Sequence, residues 1–282
     1  MKVMKKIFLM VAVAMISLAV SAQDLGKATE TYNNAAGLIQ ADKAAALKGF
    51  QEALKLAEAC EEDADGQRNA LIENCKTNIV NFTLSIAKDL LKDKEYDKAY
   101  DQLKLSLEVA TKYEDAEKVE EVNALIPTVY IAKGNQLLKD KDALGAADAY
   151  QKALELDPQN GKAALNLGQA QNMAGNVDAA EDAFKIAMGL GEEKAAAKQL
   201  SKLYQKKANA AYKAGNFNRA YDDAMTSIDY EPNPTAYKIA GNSCTKLDNK
   251  KVAVECFQEY LKLSPNAKDA AQIKETINIL KK

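Results

Sequence analysis

Along most of the chain apolar residues recur every three or four positions, and one arrangement of them recurs at longer range. Ala146, Tyr150 and Ala153 stand at offsets 0, 4 and 7, and thirty-four residues on Ala180, Phe184 and Ala187 repeat those offsets. Residues so spaced share one face of an α-helix. Each stretch therefore predicts an amphipathic helix with a small–large–small stripe. Further copies begin at Ala220 (then Ala224 and Ser227), Ala253 (Phe257, Tyr260), Ala99 (Leu103, Ser106) and Ala46 (Phe50, Ala53).

About twelve residues ahead of five of these alanines a small residue recurs inside another helical stretch: Ala87, Gly134, Gly168, Ala208 and Gly241. Glycine in a helix interior costs about 1 kcal/mol relative to alanine. A small residue at that place in five helices predicts that a neighbouring helix approaches too closely for a side chain. Polar turns (KDKD, AGNV, AGNF, LDNK) separate the two helices of each pair. Asp157-Pro158, Glu231-Pro232 and Ser264-Pro265 follow the second helix, where proline stops its continuation.

This order of small residue, polar turn, striped helix and proline resembles the tetratricopeptide repeat. The resemblance rests on Gly134, Ala146, Tyr150, Ala153 and Pro158, then on Leu167, Gly168, Ala180, Phe184 and Ala187, then on Gly241, Ala253, Phe257 and Pro265. The unit built on Ala220 departs from it, with Ala208 for the glycine and Ala224 for the aromatic. The pattern is strong over residues 127–267, as four repeats at about 127–160, 161–194, 201–233 and 234–267, and weaker before that. The implied fold is an all-α, right-handed solenoid of about six helical hairpins. Residues 23–126 form irregular hairpins with lengthened helices, since residues 67–91 contain no helix breaker. Residues 268–282, with Ala270, Ile273, Ile277 and Leu280 on one stripe, form a C-terminal capping helix that covers the last repeat.

The first 22 residues change the compartment. MKVMKK supplies three lysines, residues 7–20 are an uncharged apolar run, and Ser21 and Ala22 precede Gln23. That is the order of a secretory signal peptide, and its apolar run is short of the roughly 20 residues that span a bilayer. No second run of spanning length follows, so no integral membrane span is expected after cleavage. The expected location is the periplasm or outer envelope of a Gram-negative-type bacterium. Cleavage leaves 35 basic against 40 acidic residues, a net charge of −5, which argues against nucleic acid as a partner. Export also permits disulfides. Cys60–Cys75 and Cys244–Cys256 would each bridge across a helical-hairpin turn, and four buried thiols are the alternative.

The sequence has no histidine and no nucleophile-elbow, phosphate-loop or zinc-helix motif. No enzyme activity, metal or cofactor is expected. What the resemblance implies is a groove, lined by the first helix of each pair, that holds an extended peptide or a partner helix. Asn135, Gln169, Asn209 and Asn242 occupy one register position there, directly after the small residue, where amides could bond a peptide backbone; a merely solvated helix face would also carry them. Asn135, Asn166, Lys202 and Lys206 sit at offsets similar to a clamp that some co-chaperones of this family close on a terminal carboxylate. Ile131, however, replaces one of its lysines and Lys206 its arginine, which lysine cannot imitate as a bidentate donor. With Lys207 and Lys213, these lysines make a basic stretch on an acidic protein and predict a modest preference for an acidic ligand. The function expected is a non-catalytic scaffold that captures another protein or peptide. An assembly subunit of an envelope complex, working through its ends or convex face, is the alternative, and a glycan-binding or hydrolase-associated module a more distant one.

Overall fold

The computed structural model describes residues 25–61 and 66–282, so the expected signal peptide lies outside the described residues. Among the described residues there are thirteen α-helices and no strand. Two compact units divide them: one takes residues up to 89 with 101–119, the other takes 90–100 and 120–282.

In the first unit, α1 (Leu25–Gly37) and α2 (Lys43–Glu58) form a hairpin. Asp42 caps α2 by accepting from the amides of Ala44 and Ala45 at 3.1 and 2.9 Å. Gly49 is required by contact, because a Cβ there would stand 2.5 Å from the Ala35 methyl. The striped aromatic Phe50 is fully buried between Tyr32 of α1, at a ring distance of 5.2 Å, and Phe82, at 5.6 Å. Phe82 lies on α3 (Gln67–Lys92), the long uninterrupted helix the sequence predicts; α4 (Tyr96–Lys112) follows.

The second unit holds the regular repeats. Three hairpins pair α5 (Ala116–Lys139) with α6 (Ala143–Leu156), α7 (Gly161–Ala174) with α8 (Val177–Gly189), and α9 (Glu193–Lys213) with α10 (Phe217–Tyr230). A fourth pairs α11 (Pro234–Lys246) with α12 (Lys250–Leu263), and α13 (Ala270–Leu280) closes the series. α5 and α9 start well before their repeats, lengthened by EDAEKVEEVNALI and EEKAAAKQL. The cap buries Ala270, Ile273 and Ile277, the two isoleucines against Cys244, Val254, Phe257 and Tyr260.

Each polar turn between the two helices is one device used four times. The amide of its last polar residue bonds back five residues: Asp142 to Leu137 O at 2.9 Å, Asn176 to Gln171 O at 2.9 Å, Asn216 to Ala211 O at 3.0 Å and Asn249 to Cys244 O at 2.9 Å. That bond closes a Schellman turn, which needs a left-handed residue just before it. Gly175 and Gly215 meet this without strain, whereas Lys141 and Asp248 adopt φ of 65° and 58°. The same polar residue then opens the second helix, and Asp142, Asn216 and Asn249 cap it with their side chains.

The stripe's purpose is clear in the packing. A Cβ on Gly134 would lie 2.7 Å from the Tyr150 ring, one on Gly168 2.5 Å from Phe184, and one on Gly241 2.7 Å from Phe257. The small residue of the first helix is therefore the seat for the ring of its own hairpin partner. The sequence suggested a close helix approach; what fills the space is the ring. Tyr150, Phe184 and Phe257 are all buried, each worth about 1.5–3 kcal/mol by area. Ala146, Ala153, Ala180, Ala187, Ala220 and Ala253 are fully buried beside them, while Pro158 and Pro265 are exposed after the second helices.

The cysteine pairing expected as one of two readings does not form. All four cysteines are buried and none is in a disulfide. Cys60, just past the end of α2, donates its thiol to Leu56 O at 3.2 Å. Cys244 and Cys256 pack into two different hydrophobic clusters. Burial pushes the Cys75 thiol up to about 11 and Cys256 to about 12, so the reactive thiolate is scarce.

Candidate functional site

The first helices of the second unit stand in series: α7 packs beside α9 and α9 beside α11, while Ile131, Leu137 and Leu138 of α5 join Leu167 and Ala170 of α7 in one cluster. Two of them, α7 and α9, carry a set of exposed or half-buried residues at offsets 0, 4, 7 and 11. On α7 these are Lys162, Asn166, Gln169 and Met173; on α9 they are Lys202, Lys206, Asn209 and Lys213. At 3.6 residues per turn such a set falls within a narrow arc. All four on α9 are exposed, as are Lys162 and Met173, with Asn166 and Gln169 half-buried.

The amide row divides into one engaged member and three open ones. Tyr150 rests on Gly134 and projects its hydroxyl to Asn135, donating to Oδ1 at 2.7 Å. Phe184 and Phe257 have no hydroxyl, and α10 has Ala224 at that place. Gln169, Asn209 and Asn242 make no side-chain hydrogen bond among the described residues, and neither does Asn166. Each can offer both an acceptor and two donors, which is what a peptide backbone needs.

The basic stretch splits as well. Lys207 turns away from Lys202 and Lys206 to meet Glu181 of α8 at 2.6 Å, where Tyr204 also donates at 2.6 Å and Lys185 at 2.6 Å. Burial raises the Glu181 pKa, but the hydrogen bonds from Lys185, Lys207 and Tyr204 outweigh it and hold the carboxyl at about 2. Burial and the bond to Glu181 push Tyr204 beyond the usual phenol range. This charged knot joins α8 to α9; sequence reasoning missed it because Glu181 and Lys207 lie in different repeats. Lys202, Lys206 and Lys213 stay exposed, and Lys198 joins them one turn earlier.

A second buried polar group pins α9 to α10. Ser227 donates to Ser201 O at 2.7 Å, the two hydroxyls stand 3.2 Å apart, and Asn233 donates to both at 3.1 Å. Asp269 accepts from Lys238 of α11 and from Tyr260 of α12, tying down the start of the cap. Two open depressions flank α9: one of about 290 Å³ lined by Glu193, Lys194, Ala197, Lys198, Tyr230 and Glu231, another of about 350 Å³ at Lys207, Ala210, Ala211, Ala214, Asn216 and Arg219. Among the described residues no three His, Cys, Asp or Glu stand together to hold a metal ion, and no helix is long and apolar enough to cross a membrane.

The chain is similar to several known proteins. A TPR repeat-containing protein of Methanocaldococcus jannaschii is 27% identical over 157 residues, 54% of this chain but only 27% of that protein, so the chain spans about a quarter of its relative's length. Among solved structures, MamA protein is 18% identical over 68% of this chain and 94% of its own, with a TM-score of 0.37. YrrB, described as a TPR protein with an unusual peptide-binding site, is 19% identical over 73% of this chain and 96% of its own, with a TM-score of 0.37. Residues 149–182, running from α6 through α7 into α8, match the tetratricopeptide repeat.

Proposed function

We propose that this chain is a non-catalytic scaffold that captures an extended peptide or protein segment along its row of first helices. The observation that carries this reading is the set of open amides, Gln169, Asn209 and Asn242, at one register position on three successive first helices. Packing does not need them: the seam behind each is already closed by a ring on a glycine or by two alanines. A peptide laid across them would exchange its water hydrogen bonds for amide ones at a net gain of about 0.5–1.5 kcal/mol each. We place the protein in the bacterial cell envelope, supported by the basic, apolar and small-residue order of residues 1–22.

A photo-crosslinking residue introduced at Gln169 or Asn209 in cells should trap a partner, and one at Asp182 or Asp229 on the second helices should not. With the crosslinking residue at Gln169, replacing Asn209 and Asn242 together by Ala should abolish the adduct. If the adduct survives that change and is lost on substitution of exposed residues of α13 instead, the protein is an assembly subunit working through its end.

A further inference from the structure

Acidic and basic residues of the second unit are sorted by helix. From Val122 to the end of α5, throughout α7 and α11, and in α9 beyond Glu193, there is no Asp or Glu. The second helices hold the carboxylates: two on α6, three on α8, three on α10 and two on α12. Lysines of the first helices that face a neighbouring segment find one. Lys133 meets Asp97 at 2.7 Å, Lys207 meets Glu181 at 2.6 Å, and Lys238 meets Asp269.

On the outward face of α9 this pairing stops. Lys198, Lys202, Lys206, Asn209 and Lys213 fall within an arc of about 80°, all are exposed, and none of these four lysines makes a salt bridge or hydrogen bond among the described residues. A chain of net negative charge thus keeps a cationic strip about 22 Å long, with Glu193 and Glu231 near only its Lys198 end, beside open amides on the helices to either side. Such a strip focuses a local positive field and favours an anionic ligand over the bulk of the surface.

Spacing narrows the ligand further. Lysines four residues apart on a helix are separated by about 6 Å of rise, and alternate residues of an extended chain by about 6.6 Å. We infer that the part of the captured segment that meets α9 is an extended peptide that follows that helix and carries Asp or Glu at alternate positions, its carboxylates on Lys198, Lys202 and Lys206 and its backbone on Asn209, while the chain on either side reaches the amides of α7 and α11. This rests on the groove reading above and gives that groove its ligand class. An internal acidic run suffices; a terminal carboxylate is not needed, because Asn135, a member of the clamp-like set, already spends its acceptor oxygen on Tyr150.

The test uses the full chain and a fluorescein-labelled Glu-Ser repeat of about twelve residues, long enough to span the strip, followed by anisotropy at low and high salt. The Glu-Ser peptide should bind, weaken as salt rises, and hold its affinity when its C-terminus is amidated. A Gln-Ser repeat should bind about tenfold more weakly or not at all. Changing Lys198, Lys202, Lys206 and Lys213 together to Gln should weaken Glu-Ser binding about tenfold with helicity unchanged, while Lys250, Lys251 and Lys262 of α12 changed to Gln should not. Equal binding of the two peptides, indifference to the four α9 substitutions, or tighter binding of a single-stranded oligonucleotide overturns the inference. If Gln-Ser binds equally well and Ala at Gln169 and Asn209 abolishes it, the groove stands and only its acidic preference falls.

Discussion

The hairpins α7–α8 and α9–α10 share a backbone plan and solve their seams differently. In α7–α8 the Phe184 ring sits on Gly168 at the centre. In α9–α10 both places are alanine, Ala208 and Ala224, each fully buried. Aromatic volume has moved to the two ends of that hairpin: Tyr204 stacks on Tyr230 at 5.9 Å, and Tyr212 meets Phe217 edge-on at 5.4 Å. Buried hydroxyls of Ser201 and Ser227 add a directional tie. The repeat therefore conserves the volume of a facing pair rather than either residue alone, as close-packed interiors require.

Removing the ring tests the comparison most harshly. Phe184→Ala should destabilise the chain by about 3–5 kcal/mol, since the rigid backbone at Gly168 cannot move in to fill the gap; denaturant unfolding measures it. In α9–α10 the reverse change should also hurt: Ala224→Phe drives a ring into the Ala208 methyl, costing about 1–3 kcal/mol. Adding Ala208→Gly should recover much of that loss, a coupling of about 1 kcal/mol or more in a double-mutant cycle. Additive effects would mean that the two positions do not face one another.

Smaller still is the link between the two hairpins. Glu181→Gln should cost about 1–2 kcal/mol at neutral pH by weakening the bonds to Lys207 and Tyr204. Because the folded pKa of about 2 lies below the ordinary 4.5, the contribution is complete above pH 4.5 and fades as pH falls toward 2. Unfolding curves of the two proteins should accordingly converge in acid; a gap that persists at low pH would assign the loss to packing.

Much of the fold was legible because its rules are local. Offsets 0, 4 and 7, a small residue twelve positions earlier, and Asn or Asp in each turn all act within one hairpin. The cap stripe was readable for the same reason. Contacts between repeats were not, since Glu181 meeting Lys207, or Ser201 meeting Ser227 and Asn233, joins residues 26 or more apart with no periodic signature. At the candidate site the register of Asn135, Gln169, Asn209 and Asn242 could be counted, but the engagement of Asn135 could not. That engagement turns on one hydroxyl: Tyr150 has it, Phe184 and Phe257 do not. Lys207 was grouped with Lys202 and Lys206 by proximity in sequence, yet one residue rotates a helix position by about 100° and hands it to α8.

Gln169, Asn209 and Asn242 on the first helices are free for a ligand, while Asn135 and the amides in the turns are spent on the fold. Side-chain amide NMR during titration with the Glu-Ser peptide tests this division directly. Signals of Gln169, Asn209 and Asn242 should shift together, while the capping amides of Asn160, Asn216 and Asn233, each already bonded to a helix N-terminus, stay in place. Shifts centred on the capping amides or on α8 and α10, with Gln169, Asn209 and Asn242 unmoved, would contradict it.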